Sequence, residues 1–250
     1  MPLLKVIADK DKLPLLKLDE PVDVSKIKIY YQFDDCDGLR ISSVEQDIQN
    51  AMKKAIDYFE NVLKCEVHRV EIELTKNALD IWFANYNYEN KPKLEKRLTN
   101  FNGTINFWIE MIKFAFGKSK HSICCIINIF RENYGVKYGS MKHKRSMEQK
   151  KLLMSSFQEI LGNGDSVFLY PTHPTTAIYH NESFFRLYDF AYTALFSVLE
   201  LPATSIPMGL NSQGLPVGIQ VAANHHNDRL CLAVARELEH AFGGWVPPGK

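Results

Sequence analysis

Hydrophobic and polar positions near the start of the chain predict a strand, a helix and a second strand. From Ile27 to Phe33 apolar and more polar residues alternate, the period-two pattern of a half-buried strand that ends at Asp34–Gly38. Ser42–Glu45 has the form of a capping box, and apolar residues then recur at helical spacing from Val44 to Leu63. A further alternation follows at Val70–Leu74. This order predicts a right-handed βαβ unit with a parallel strand pair.

The middle of the chain, residues 77–161, has mainly helical patterns. Two apolar segments, 101–116 and 122–130, flank a short basic turn and predict two packed helices. One interpretation is a helical hairpin buried in the core. The other is a lipid-facing cap from Trp108 to Phe130, because helices with Trp and Phe on one side and Lys at their ends can lie in a membrane interface. The sequence leaves both open.

A basic stretch at 138–150 predicts the solvated start of a helix that ends at Leu161. Its cationic side chains are Lys142, His143, Lys144, Arg145 and Lys150. Gly162–Asp165 then breaks the chain before a short apolar run, Ser166–Pro171, which predicts a buried parallel strand.

A β-hairpin is predicted near the end of the chain, with arms Ala203–Leu210 and Leu215–Ala222 joined by the turn Asn211–Gly214. Gly209 and Gly218 have no side chain, so they predict a close backbone approach on both arms.

Helices at Asp189–Glu200 and after an N-cap at Asn227 frame this hairpin. No linker or internal repeat divides the chain, so residues 1–250 are expected to form part of one domain. Together the patterns predict an α/β fold with a mixed, largely parallel sheet flanked by helices.

Composition excludes several functional classes. The chain has 30 basic and 29 acidic residues and a net charge of +1, so no general field favours nucleic acid. The five cysteines, at Cys36, Cys65, Cys124, Cys125 and Cys231, form no C-x-x-C pair and are expected to be buried thiols in a reducing, intracellular compartment. No apolar run has the length of a signal core or a membrane span, so we expect a soluble or peripheral protein.

Catalytic motifs are mostly missing. The glycine patterns of dinucleotide and phosphate loops, the G-x-S-x-G elbow and the metal-binding H-E-x-x-H motif are incomplete or missing, and no metal or cofactor is expected. His173 is the exception, since it lies in Pro171–Thr175, at the carboxyl end of a predicted parallel strand, where ligands gather in open α/β sheets. It could transfer a proton or orient a substrate, or it could serve as a structural hydrogen-bond donor.

Several ordered motifs in the last ninety residues resemble the carboxyl-terminal half of amidase signature enzymes, and among these the fatty-acid amide hydrolase 2 group. The resemblance also extends weakly over the earlier residues. The matching segments are Val167–Thr175, Phe190–Thr193, Leu201–Ala203, Pro207–Asn211, Gly214–Val221 and Gly243–Val246.

The resemblance implies a serine hydrolase that cleaves lipid amides to a fatty acid and an amine. In that family a lysine deprotonates a bridging cis-serine, which relays the proton from the serine that attacks the carbonyl. In that family all of these residues lie upstream of the region matched here. These 250 residues contain no glycine- and serine-rich signature segment, and Met1 is expected to fall just past the end of that segment. The chain is therefore expected to be inactive alone, to complement an amino-terminal half, and to leave a sheet edge and apolar faces exposed.

By its motif positions, the resemblance places Tyr192, Thr193 and Val217 beside the substrate channel, and His173 is the fourth channel candidate. Packing in the core is the alternative for each. The expected partners are the amino-terminal half, a fatty-acid amide and, through Trp108 to Phe130, a membrane surface, with no nucleic acid. A non-catalytic module that binds lipid amides or regulates a full-length partner is the alternative function.

Overall fold

A five-stranded mixed sheet forms the centre of the protein in a computed structural model, which describes residues 2–33, 40–180 and 182–247. The strands are β1 (Lys28–Tyr31), β2 (Val67–Arg69), β3 (Ser166–Pro171), β4 (Ala203–Leu210) and β5 (Pro216–Ala223). Their order is β2-β1-β3-β5-β4, with β1 parallel to both β2 and β3 and with antiparallel pairing of β3 to β5 and of β5 to β4. The mixed α/β class is confirmed, and the pairings divide evenly between the two types.

Helices pack around this sheet. They are α1 (Pro2–Ile7), α2 (Gln46–Asp57), α3 (Ala78–Tyr86), α4 (Leu94–Leu98), α5 (Phe107–Ala115), α6 (Ile123–Tyr134), α7 (Met141–Leu161), α8 (Ala191–Leu199) and α9 (Asp228–Phe242). Helices α2, α7 and α9 contact the sheet, and α3 and α8 pack on each other and on α7. All six residues of β3 are buried, as predicted for a central strand with both faces covered.

The second strand lies earlier than its pattern predicts. The last ladder bond runs from the Val70 amide to the carbonyl of Tyr31, 3.0 Å away. The Ile72 amide then donates to the side-chain Oε1 of Gln32 at 3.1 Å, and the chain turns into a 3-10 helix at Glu73–Asn77. The prediction of a strand at Val70–Leu74 was therefore wrong, because β2 ends at Arg69 and the Ile72 amide bonds a side chain in place of a strand backbone.

The predicted capping box is also wrong. Glu45 is itself the N-cap residue of α2, and its side chain makes no capping hydrogen bond. Its carboxylate instead accepts hydrogen bonds from the amide and hydroxyl of Thr176, at 3.0 and 3.2 Å. Asn227 likewise occupies the N-cap position of α9 without a side-chain capping bond. The predicted end of the first strand, Asp34–Gly38, lies outside the described residues, as does Cys36.

The basic stretch is only partly solvated. Lys142, Lys144 and Arg145 are exposed, as predicted, but His143 and Lys150 are buried. The Lys150 ammonium donates to the Asn85 side chain at 3.0 Å and lies 3.4 Å from the Glu200 carboxylate. These partners offset the desolvation of the charge.

The hairpin has the predicted strands, and its two glycines act differently. A Cβ on Gly218 would meet the Ile206 carbonyl at 3.0 Å, so a close approach is confirmed there. Gly209 has open space around it but a φ of 92°, which L side chains rarely adopt. It lies in a register shift between Pro207 and Leu210. Conformation, not proximity, therefore requires Gly209.

The buried-hairpin interpretation of the two apolar helices was wrong for α5. Trp108, Ile109 and Ile112 on α5 are 62%, 54% and 60% exposed. The buried side chain is Glu110, which accepts hydrogen bonds from Ser119 at 2.8 Å and Lys113 at 3.3 Å. Helix α6 does bury Ile126 and Ile129. Among the described residues no helix combines the length and apolarity needed to cross a membrane.

Two of the cysteines are buried thiols, as predicted. Cys65 and Cys231 are buried, whereas Cys124 and Cys125 are partly exposed on α6. Burial raises the pKa of the Cys231 thiol to about 12 and also raises the pKa of Cys65. Neither buried thiol is therefore a ready nucleophile at neutral pH.

Tyr58 gives the fold a defined alkaline response. Its hydroxyl donates to Glu237 of α9 at 2.7 Å, and this bond to a carboxylate raises the pKa of Tyr58 from 10.0 to about 12. The stabilisation is complete below pH 10 and is lost as the pH rises through 12, because the bond requires the neutral phenol.

We expect Tyr58→Phe to lower the free energy of unfolding by about 1 kcal/mol at neutral pH. Its stability should also fall less than that of the wild type between pH 10 and 12, measured by urea titration at each pH. Tyr179→Phe, at an 84% exposed site, is the control and should match the wild type. Equal pH dependence of both variants would contradict the role of the Glu237 bond.

Candidate functional site

Polar side chains gather where β1 and β3 end. Because these strands are parallel, their carboxyl ends lie at the same edge of the sheet. The loop 171–176 leaves β3 there and meets the segment 42–45 before α2, which in turn contacts the segment 186–189 before α8. We call this arrangement the strand-end cluster; its side chains are Ser42, Glu45, His173, Thr175, Thr176, Arg186, Asp189 and Gln220.

Asp189 and Arg186 hold Ser42. The Ser42 amide donates to Asp189 Oδ1 at 2.8 Å, and Arg186 Nη1 donates to the Ser42 hydroxyl at 3.3 Å. Arg186 Nη1 also lies 4.0 Å from Asp189 Oδ2. Asp189 is 1% exposed, so the carboxylate of this ion pair is almost completely shielded from solvent. The segment before α2 is thereby fixed to the segment before α8.

Glu45 fixes the other side of the same loop. Its amide donates to the Pro174 carbonyl at 2.7 Å, while its carboxylate accepts the two hydrogen bonds from Thr176. One residue thus binds the strand-end loop through both backbone and side chain, which sets the loop's position relative to the start of α2.

Gln220 links β5 to two other elements from inside the core. It is 4% exposed, and its side-chain amide donates to the Pro171 carbonyl at 2.9 Å and to the Tyr192 carbonyl at 3.2 Å. The buried side-chain amide of Gln220 needs these acceptors, because a buried polar group is costly to leave without a hydrogen bond. Gln220 therefore holds the end of β3 and the first turn of α8 together.

Two buried oxygens in this region have no hydrogen-bond partner among the described residues. They are Asp189 Oδ2 and the hydroxyl of Thr172. Such groups are rare in native proteins and mark places where a donor or acceptor can still be accommodated. The contacts of the cluster hold the backbone of the surrounding segments in place.

The structure brings His173, Tyr192 and Val217 to this end of the sheet. His173 Nδ1 lies 3.0 Å from the carbonyl oxygen of Thr175. Tyr192 is buried, with its hydroxyl 3.4 Å from the Ser42 carbonyl. The pairing of Pro171 with Ile219 puts Val217 level with the loop beyond β3, and its side chain is 6% exposed in the core.

Thr193 points elsewhere. It is exposed on α8, and its hydroxyl donates to the Phe190 carbonyl at 2.9 Å within its own helix. The channel role of the four residues stays a prediction.

Sequence reasoning missed Asp189, Arg186 and Gln220 as parts of this cluster. Gln220 has a local signal, since it is the polar residue in the otherwise apolar end of β5. Asp189 and Arg186 have none, because charged residues before a helix are common on surfaces. As for metals, no group of three or more His, Cys, Asp or Glu side chains suited to an ion occurs within residues 2–33, 40–180 and 182–247.

We expect Gln220→Leu to destabilise the protein by about 2 kcal/mol, because the hydrogen bonds from the side-chain amide to the Pro171 and Tyr192 carbonyls are lost. Urea titration followed by circular dichroism measures the change. Gln213→Leu is the matched control at an exposed turn position and should cost less than about 0.5 kcal/mol. A Gln220→Leu variant as stable as this control would show that the two hydrogen bonds contribute nothing.

Comparison with known proteins places this arrangement in a family. A protein-family model described as Amidase matches residues 26–232. Fatty-acid amide hydrolase 2 from Homo sapiens is 36% identical over 255 residues, covering 100% of this chain and 47% of the relative. Fatty-acid amide hydrolase 2-B from Danio rerio is 33% identical, with the same coverage.

The fold has matching solved structures. A structure titled Fatty acid amide hydrolase superposes with a TM-score of 0.58 at 15% identity, covering 90% of this chain and 42% of that one. The chain spans about half the length of the curated relatives it matches. With the Amidase match extending from before β1 into α9, the chain belongs to the amidase signature family.

Proposed function

We propose that this chain is part of a fatty-acid amide hydrolase-like serine amidase, which hydrolyses lipid amides to a fatty acid and an amine. In this proposal the chain supplies part of the sheet and a wall of the substrate channel. The observation that carries it is the 36% identity to fatty-acid amide hydrolase 2 over the whole chain. The family match by itself supports an amide hydrolase activity without specifying a lipid substrate.

The strand-end cluster supports a positioning role. Its serine, Ser42, is held by Arg186 and not by a lysine, and its carboxylates are used to fix backbone amides. Such a set of contacts makes a rigid wall and does not activate a nucleophile. In the proposal, the two serines and the lysine that break the bond lie in an amino-terminal half, and His173, Tyr192, Thr193 and Val217 shape the acyl channel.

Exposed surfaces agree with a chain that has further partners. The outer edges of β2 and β4 pair with no other strand in the described part of the chain. The apolar face of α5 is exposed, with Trp108 at 62%, and Phe116, just after the helix, is 75% exposed. We propose that the amino-terminal half covers part of this surface and that Trp108 to Phe130 contacts a membrane peripherally, inside the cell.

We expect the isolated 250-residue chain to release no oleate from oleamide, measured by mass spectrometry against fatty-acid amide hydrolase 2 from Homo sapiens. It should also form no adduct with a serine-directed fluorophosphonate. Oleate release that the fluorophosphonate blocks would show that the nucleophile lies within these residues. Saturable oleamide binding without hydrolysis would favour the alternative function, a non-catalytic lipid-amide module.

A chimera tests the positive half of the proposal. Fused behind the amino-terminal half of fatty-acid amide hydrolase 2 from Homo sapiens, the chain is expected to complete an active oleamide hydrolase. The human half alone is the control and should be inactive. Equal activity of the half and the chimera would show that this chain contributes nothing to the reaction.

A substitution at the position of Val217 tests whether this residue lines the acyl channel. In the intact human relative, Trp at the position aligned with Val217 should shift the acyl-chain preference toward shorter amides by about tenfold in kcat/KM, because the larger ring fills the channel. Substitution at the position aligned with Cys231, buried in the core on α9, is the packing control and should lower stability without changing the preference. An unchanged acyl-chain preference in the Trp variant would show that Val217 only packs in the core.

A further inference from the structure

A cavity of about 740 Å³ lies between α3, α4, α6 and the start of α7, and none of the side chains of the strand-end cluster lines it. One wall is apolar and aromatic, with Leu79, Trp82, Phe83 and Tyr86 from α3, and Tyr188 closes another side. Trp82 and Tyr86 stack with their ring centroids 5.3 Å apart, which makes a flat surface. The volume of the cavity is in the range found for small-molecule binding sites.

The charged lining of this cavity is mainly cationic. Six basic side chains contribute, namely Arg40, Lys91, Arg97, Arg131, Lys137 and Lys142, against the two acids Asp80 and Glu132. Both acids are already engaged. Asp80 accepts two hydrogen bonds from Arg40, at 3.0 and 3.2 Å, and Glu132 pairs with Lys91 at 2.9 Å. The excess of positive charge favours an anionic ligand.

Arg131 is the cation best placed to receive that ligand. Its Cζ lies 3.1 Å from the centroid of the Phe83 ring and 5.3 Å from that of Tyr188. The rings stack against the guanidinium without using its N–H groups, and within the described residues no carboxylate or carbonyl pairs with it. Burial lowers the pKa of the Arg131 guanidinium, as expected for a cation that has lost water without gaining a full counter-charge.

We propose that this cavity binds an amphiphilic carboxylate, with the carboxylate on the guanidinium of Arg131 and an alkyl chain along the aromatic wall of α3. The guanidinium of Arg131 is partly buried, and its planar fork of N–H donors matches the two oxygens of a carboxylate. A fatty acid released by amide hydrolysis belongs to this class. That link rests on the proposed function, whereas the binding itself does not.

The test is isothermal titration of the 250-residue chain with dodecanoate below its micelle concentration. We expect one site per chain, and binding at least tenfold weaker for acetate, which lacks the chain, and for 1-dodecanol, which lacks the charge. Dodecyl phosphate distinguishes the two anion classes and should also bind more weakly. Equal or tighter binding of dodecanol or dodecyl phosphate would overturn the proposal.

Variants locate the site. Arg131→Gln should weaken dodecanoate binding by about tenfold to a hundredfold, because a charge-assisted hydrogen-bond pair is lost. Arg145→Gln, an exposed arginine on α7, is the matched control and should bind like the wild type. Arg131→Lys keeps the charge but not the paired donors, so we expect an intermediate loss even if the Gln variant folds poorly by circular dichroism.

Wild-type affinity in either Arg131 variant would contradict the assignment. Binding is measured without catalysis, so its failure leaves the proposed hydrolase function standing. An inactive chimera would equally leave the cavity proposal standing.

Discussion

The antiparallel pairing of β3 with β5, reinforced by the side chain of Gln220, is the constraint on which the rest of the structure depends. It joins the parallel half of the sheet to the hairpin, and it places the end of β3 beside the first turn of α8. Because every residue of β3 is buried, the pairing cannot slip by one residue without turning its side chains to the wrong faces. The loop beyond Pro171 therefore emerges in a fixed place.

The sequence predicted those parts of the fold whose determinants are local. The apolar run of β3 and the Asn-to-Gly turn of the hairpin have short, self-contained patterns, and the predicted strand bounds agree with the structure to within one residue. The second strand and the capping box failed because distant side chains compete for the same backbone. Glu45 binds Thr176, which is 131 residues away, and Gln32 captures the amide of Ile72. Periodicity contains no information about such partners.

At the strand-end cluster, too, local features could be predicted from the sequence and long-range contacts could not. His173 could be located from its place after a buried strand, because strand ends collect loops in this kind of sheet. The network of Ser42, Asp189 and Gln220 could not, since it depends on contacts 147 and 49 residues apart along the chain. The cavity around Arg131 was also invisible, because its wall comes from helices whose mutual packing no local pattern encodes.

Helix α5 is amphipathic with its polarity reversed, since it buries Glu110 and exposes Trp108 and Ile112. The carboxylate already accepts hydrogen bonds from Ser119 and from Lys113, whose side chain is half exposed. A surface that settles on the outer face of α5 would therefore dehydrate hydrocarbon and rings but not this acid, so apolar contact there carries little electrostatic penalty. Whatever covers α5 can be selected by shape and apolarity, with no matching charge required at the centre of contact.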